Sequence, residues 1–225
     1  MNVTEAVTTR RSIRQFLDTP VPRDVLERVL TTAQRAPSGG NVQPWNATIL
    51  TGEPLKALID AVQQRISADP QDQDSEYQIY PANLQEPYRS RRFGVGEAMY
   101  AALDISREDK IGRFKQFAAN FRAFGAPVLM MIHCPRNMGP PQWSDMGMWL
   151  QTIMLLLREE GIDSCAQEAW SVYSQTIKPI LGLSEEDEIL FCGLGIGYRN
   201  PSAPINNFTA PRAPLDEVID WRGFE

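Results

Sequence analysis

The 225-residue sequence has little of what most enzymes use to move protons or hold metals. It contains one histidine, His133, and three scattered cysteines, Cys134, Cys165 and Cys192. A structural zinc site needs about four soft ligands at close spacing, and neither Cys-x-x-Cys nor His-Glu-x-x-His occurs, so no metal site is expected. A serine triad would have to use His133, which ends the apolar run Val128-Leu129-Met130-Met131-Ile132, and no Gly-x-Ser-x-Gly elbow exists to supply its nucleophile. The phosphate loop Gly-x-x-x-x-Gly-Lys-Ser/Thr is also missing. Redox chemistry in such a chain would have to be carried by a cofactor.

Basic residues number 22 against 28 acidic ones, a net charge of −6, which disfavours a general nucleic-acid binder. No apolar run approaches the roughly 20 residues that span a bilayer. The start, Met1-Asn2-Val3-Thr4-Glu5, lacks a basic segment followed by an apolar one, so no signal peptide is predicted. An odd, dispersed set of cysteines fits a reducing compartment, and the expectation is a cytoplasmic protein. Apolar residues make up 43% of the chain, enough for one compact domain over residues 1–225 without disulfide staples.

Periodicity predicts a short helix ending near Thr9 and a second from Pro22 to Ala36, burying Val25, Leu26, Val29, Leu30 and Ala33. Ala47 to Thr51 reads as a strand closed by Gly52, and Pro54 opens a helix with Leu55, Leu58, Ile59, Val62 and Ile66 on one face. Residues 67–95 are polar and read as a loop or an insertion with short helices. Helical character returns over 96–124, with Phe114, Phe117, Phe121 and Phe124. Pro127 to His133 is a buried strand. Met146, Trp149, Leu150, Ile153, Met154 and Leu157 mark a long helix ending at Gly161. Ser174 to Leu181 is predicted to be a helix disturbed by Pro179. Glu188 to Gly195 is a strand, and the proline-rich tail 198–214 an extended arm. Strands and helices mix without a βαβ rhythm, so the class is α+β.

Several segments bear on function. Arg10-Arg11-Ser12-Ile13-Arg14 groups three guanidiniums and a hydroxyl, either an anion pocket or a solvated basic patch. Ala36-Pro37-Ser38-Gly39-Gly40-Asn41-Val42-Gln43-Pro44-Trp45 reads as a helix-to-strand turn, with glycines that permit positive φ or a close approach to a ligand. Gly193-Leu194-Gly195-Ile196-Gly197-Tyr198 follows a strand, but Tyr198 stands where a dinucleotide fingerprint needs its last glycine. Those glycines fit close packing of a central strand better. Cys165 has no evident base beside it and is a poor candidate nucleophile.

The run Arg10 to Phe16 together with Ala36 to Trp45 resembles the opening motifs of the nitroreductase family, and Arg212-Ala213-Pro214-Leu215 is similar to its closing motif. The resemblance implies a central mixed, mostly antiparallel sheet flanked by helices, and a C-terminal arm reaching a partner subunit. It implies FMN bound at a homodimer interface. Arg10, Arg11 and Arg212 would hold the phosphate, Ser12 the phosphate or ribityl chain, and Arg14 the pyrimidine edge. Pro37, Ser38, Gly39, Asn41 and Gln43 would come from the partner. Gln167, Glu168 and Ala169 would bind the cofactor, with the backbone N–H groups of Glu168 and Ala169 near the flavin N5. Ala210 replaces a lysine found in some relatives.

The activity implied is reduction of nitroaromatic or similar planar electrophiles by NADH or NADPH in a ping-pong cycle, with residues 67–115 forming a lid. A reductive dehalogenase on the same fold, or a flavin-binding redox sensor without turnover, is the alternative. Turnover with NADPH and a nitroaromatic separates the sensor from the reductase.

Overall fold

The computed structural model describes residues 1–71 and 73–224. Helix α1 (Val3–Thr9) is capped by Asn2, whose side chain accepts from the Glu5 N–H at 2.8 Å. Helix α2 (Arg23–Ala33) buries Leu26, Val29 and Ala33. It ends at Ala33 rather than Ala36, because the N–H groups of Arg35 and Ala36 bond to the Thr32 and Ala33 carbonyls and tighten the chain into turns. Strand β1 (Asn46–Thr51) runs directly into α3 (Gly52–Ala68). Gly52, with φ of 57°, makes that reversal and starts the helix instead of merely closing the strand.

The insertion holds α4 (Tyr88–Ala101) and α5 (Lys110–Ala118), neither of which buries a residue. Thus α4 starts inside the polar stretch read as a loop or an insertion with short helices, and the second of these readings holds. It carries no apolar stripe because it packs on no core. Phe121 and Phe124 lie in a tight 3-10 segment and are buried, whereas Phe114 and Phe117 are about half exposed.

Strand β2 (Val128–Pro135) extends beyond His133, whose Nδ1 meets the Glu188 carboxylate at 2.9 Å. The single histidine is therefore a buried structural residue. After it come α6 (Pro140–Glu159), β3 (Asp163–Gln167), α7 (Ser174–Leu181), β4 (Glu188–Gly197) and α8 (Pro204–Asn207). β3 was not legible as a strand: its five residues include Asp163, Ser164 and Gln167, and tertiary contacts hold it. α8 interrupts the tail expected to be extended.

The four-stranded sheet has the order β1-β2-β4-β3. All three pairings are antiparallel, and the parallel contribution is a single bridge between Ser12 and Ser164. β2 is apolar along its length because helices cover both faces. Met130, Ile132, Leu194 and Ile196 pack with α2 and α6 on one side. Leu129, Met131 and Leu190 pack with α3, Phe121, Trp170 and α7 on the other. Trp45 stacks on Trp149 at 5.5 Å, fastening the start of β1 to α6.

The glycines of β4 are packing residues. A Cβ on Gly193 would lie 2.4 Å from Trp170 Cδ1, and one on Gly197 2.7 Å from Pro127 Cδ. Buried charges tie the remaining loops to this frame. The Asp163 carboxylate is held by Arg158 at 2.8 Å and by Arg199 at 2.6 and 2.7 Å. Glu76 accepts from Lys178, from Arg136 and from the Leu190 N–H, pinning the start of the insertion to β4.

Two consequences are measurable. Gly193→Ala must displace the Trp170 ring and is expected to cost about 1–3 kcal/mol in urea unfolding; an unchanged midpoint would contradict the packing. Burial opposes ionisation of Glu76, but the bonds from Lys178, Arg136 and Leu190 outweigh it and hold the carboxyl below its ordinary value. A lowered folded-state pKa contributes stability above the unfolded value of about 4.3, and that stability is lost as pH falls further. Glu76→Gln should therefore flatten the acid side of the stability curve, whereas an acid limb parallel to that of the unaltered protein would count against this role.

Candidate functional site

α1 ends at Arg10, where the backbone becomes extended. The strip that follows is sewn to the fold on both sides. Ile13 N–H donates to the Ser164 carbonyl at 3.1 Å, Phe16 N–H to Phe124 at 3.3 Å, and Leu17 N–H to Tyr198 at 2.9 Å. Ile13 is fully buried. Successive side chains of an extended strip point to opposite faces, so Ser12 and Arg14 turn the other way. Asn206, buried in α8, completes the seam. Its Oδ1 accepts from the Arg14 N–H at 2.9 Å, and its Nδ2 donates to the carbonyls of Gln15 and Asn200 at 2.7 and 3.0 Å. Nothing in the sequence pointed to Asn206, because its partners are more than 190 residues away or across a turn.

The result is a cavity of 370 Å³ lined by Arg10, Arg11, Ser12, Arg14 and Arg212, with Val95 of α4 on its wall. No carboxylate lines it. Where these guanidiniums have hydrogen-bond partners, the partners are backbone carbonyls. Arg11 donates to Asn207, Arg14 to Ser12, and Arg212 to Ala210 and Pro211. Arg10 Nε is buried with no hydrogen-bond partner among the described residues. Burial, and after it the charge of Arg212, push the Arg10 guanidinium below its usual range. Four guanidiniums meet here without an acid among the described lining residues, and their forked donors suit phosphate oxygens.

Cys165 lies beneath this cavity. Burial raises its thiol to about 11 despite Arg14 and Arg10 nearby, so it stays protonated at neutral pH. Gln167 points inward: Nε2 donates to the Asn120 carbonyl at 2.8 Å, and Oε1 accepts from Trp170 Nε1 at 3.3 Å. Its side chain locks β3, leaving only its backbone for a ligand. Glu168 and Ala169 open the 3-10 turn Glu168–Tyr173, where the first N–H groups have no partner within the turn.

The second motif is not brought to this cavity within the chain. Gly39 N–H donates to the buried Asp145 carboxylate of α6 at 3.2 Å, and Gln43 N–H to Ser38 Oγ at 3.0 Å. Gly40, Asn41 and Gln43 take φ of 57°, 57° and 50°, so this turn holds two non-glycine residues in the left-handed region. Gln43 Nε2 donates to the Asn41 carbonyl at 3.1 Å. Pro37, Gly39, Asn41 and Gln43 are exposed, and Ser38 is half-buried.

The Nitroreductase family model matches residues 7–198. A curated relative, the 4-nitrobenzoate reductase of Pseudomonas putida, is 35% identical over 222 residues, covering 97% of this chain and 95% of its own. A crystal structure described as an FMN and NADPH-dependent nitroreductase from Sphigopyxis sp. strain HMH is 55% identical, covers 100% of both chains and has a TM-score of 0.97. An FMN-dependent nitroreductase from Mycobacterium smegmatis, solved in complex with NADPH, is 29% identical over 97% of each chain, with a TM-score of 0.92.

The state of Cys165 is open to direct test. In the folded protein at pH 8 it should resist iodoacetamide and become labelled only after denaturation. Rapid labelling of the native protein would show a thiolate that the geometry does not support.

Proposed function

Because this chain belongs to the nitroreductase family, we propose that it binds FMN and uses NADPH or NADH to reduce nitroaromatic or related planar electrophiles. The observation that carries this reading is the acid-free arginine cavity, whose buried, unpartnered Arg10 Nε calls for an anion. A phosphate monoester fits that donor set. Arg10, Arg11 and Arg212 would hold the phosphate and Ser12 the phosphate or ribityl chain. Ala210 lines the cavity and offers no charge, so Arg11 supplies the further cation. Arg14 would lie at the pyrimidine edge, where a fixed cation stabilises negative charge developing on reduction. Backbone N–H groups of Glu168 and Ala169 would serve the N5 side.

Bound FMN supplies two-electron hydride chemistry, and donor and acceptor using one face in turn give a ping-pong order. Protons come from solvent, in keeping with a chain whose only histidine is committed to Glu188.

Homodimerisation is part of the same proposal. The loop from Pro37 to Gln43 shares no residue with the arginine cavity, so its contribution would come from a partner's copy. Leu215, Val218, Trp221 and Phe224 of the tail are exposed apolar residues suited to reaching across such an interface. Phe114 and Phe117 expose aromatic surface on α5, which supports a lid over residues 67–115. No helix among the described residues is long and apolar enough to cross a membrane. Free Cys134, Cys165 and Cys192 support a cytoplasmic setting.

The dialysed protein is expected to show a flavin absorption band and to release a mononucleotide on denaturation; a protein colourless even after addition of FMN would overturn the proposal. Arg212→Ala should weaken FMN binding by about 10- to 100-fold, the loss of one charge-assisted contact. Arg14→Ala should slow flavin reduction in stopped flow by a larger factor than it raises the FMN dissociation constant, and unchanged reduction kinetics would remove Arg14 from its role.

A further inference from the structure

A larger cavity, of 1110 Å³, lies in the insertion itself. Helix α4 separates it from the arginine cavity: Val95 lines one, while Arg92, Phe93 and Gly96 line the other. The wall between them is thus a single helix, about 10 Å thick.

The charges of this second cavity are unevenly paired. Arg113 takes the Glu97 carboxylate in two bonds of 2.7 and 3.2 Å. Glu86 accepts from the Ser90 N–H at 3.1 Å. Arg89, Arg92 and Arg107 also line the cavity and form no ion pair among the described residues. Two of them instead lie over aromatic rings. The Arg92 guanidinium lies 3.9 Å from the Tyr80 ring centroid, and that of Arg107 lies 5.5 Å from Phe93. A cation–π contact supplies no carboxylate, so the guanidinium N–H groups remain available to oxygen. Each ring therefore holds a cation in place without neutralising it. The space also exceeds the roughly 300–1,000 Å³ typical of small-molecule sites.

Fixed cations beside aromatic rings suit a phosphate monoester attached to a stackable base. We propose that this cavity reads the 2′-phosphate of the hydride donor through Arg92 and Arg107, and so selects NADPH over NADH. The inference rests on the reading of the chain as a nicotinamide-using reductase. NADH carries a hydroxyl at that position and gains no charge-assisted bond there.

The test uses the flavin-loaded protein. In the unaltered enzyme, 2′,5′-ADP should compete with NADPH and bind, by calorimetry, at least about tenfold more tightly than 5′-ADP, as expected for charge-assisted contacts. Arg92→Gln and Arg107→Gln, made separately, should each raise KM for NADPH about tenfold or more while leaving KM for NADH and both kcat values unchanged. Equal effects on the two donors, no effect in either variant, or equal binding of 2′,5′-ADP and 5′-ADP would overturn the proposal. A rise in KM confined to a carboxylated nitroarene, with nitrobenzene and both donors unaffected, would overturn it in favour of an acceptor carboxylate. If 2′,5′-ADP binds selectively but neither donor reduces the flavin, the donor reading fails while the phosphate site stands.

Discussion

Four guanidiniums share one small cavity with no carboxylate to balance them, and the surrounding structure is what makes that arrangement possible. Like charges brought together repel, and Arg10 is held below its ordinary range by burial and then by Arg212. The opposing force is backbone hydrogen bonding. The strip from Ser12 to Leu17 is anchored to β3, to Phe124 and to the segment after β4, with Ile13 plugged into the core. Asn206 closes the last side. The backbone that carries Ser12 and Arg14 to the cavity is thereby fixed.

The apolar frame beneath is rigid for ordinary reasons. Helices on both faces bury a four-stranded sheet, and the bare glycines of β4 let Trp170 and Pro127 press against it. Two buried acids of the frame are each held by two cations, Asp163 by Arg158 and Arg199 and Glu76 by Lys178 and Arg136. Around the arginine cavity, by contrast, Arg10, Arg11, Arg14 and Arg212 form no ion pair among the described residues.

The insertion obeys different physics. Neither α4 nor α5 buries a residue in the core, and apart from the edge-on contact of Phe117 with Phe121 their contacts are mainly polar or cation–π. Arg91 reaches the tail through Glu217 at 2.7 Å. Elements held by such exposed contacts lie at the low-stability end of a fold, where ligand-gating segments are drawn from. Their lack of an apolar stripe is also why the start of α4 was not visible to periodicity.

By itself the sequence determined the α+β class, the long buried helix α6, the strands β2 and β4, and the motif from Arg10 to Arg14. These features rest on local periodicity or on contiguous residues, which a linear reading detects. The tertiary structure alone decided that Asn206 fastens the strip and that β3 is a strand despite its polar residues. It also decided that α2 stops at Ala33 and that Gly52 begins a helix. Each of these depends on hydrogen bonds or packing between positions distant in sequence or on a single backbone angle, and neither leaves a periodic trace.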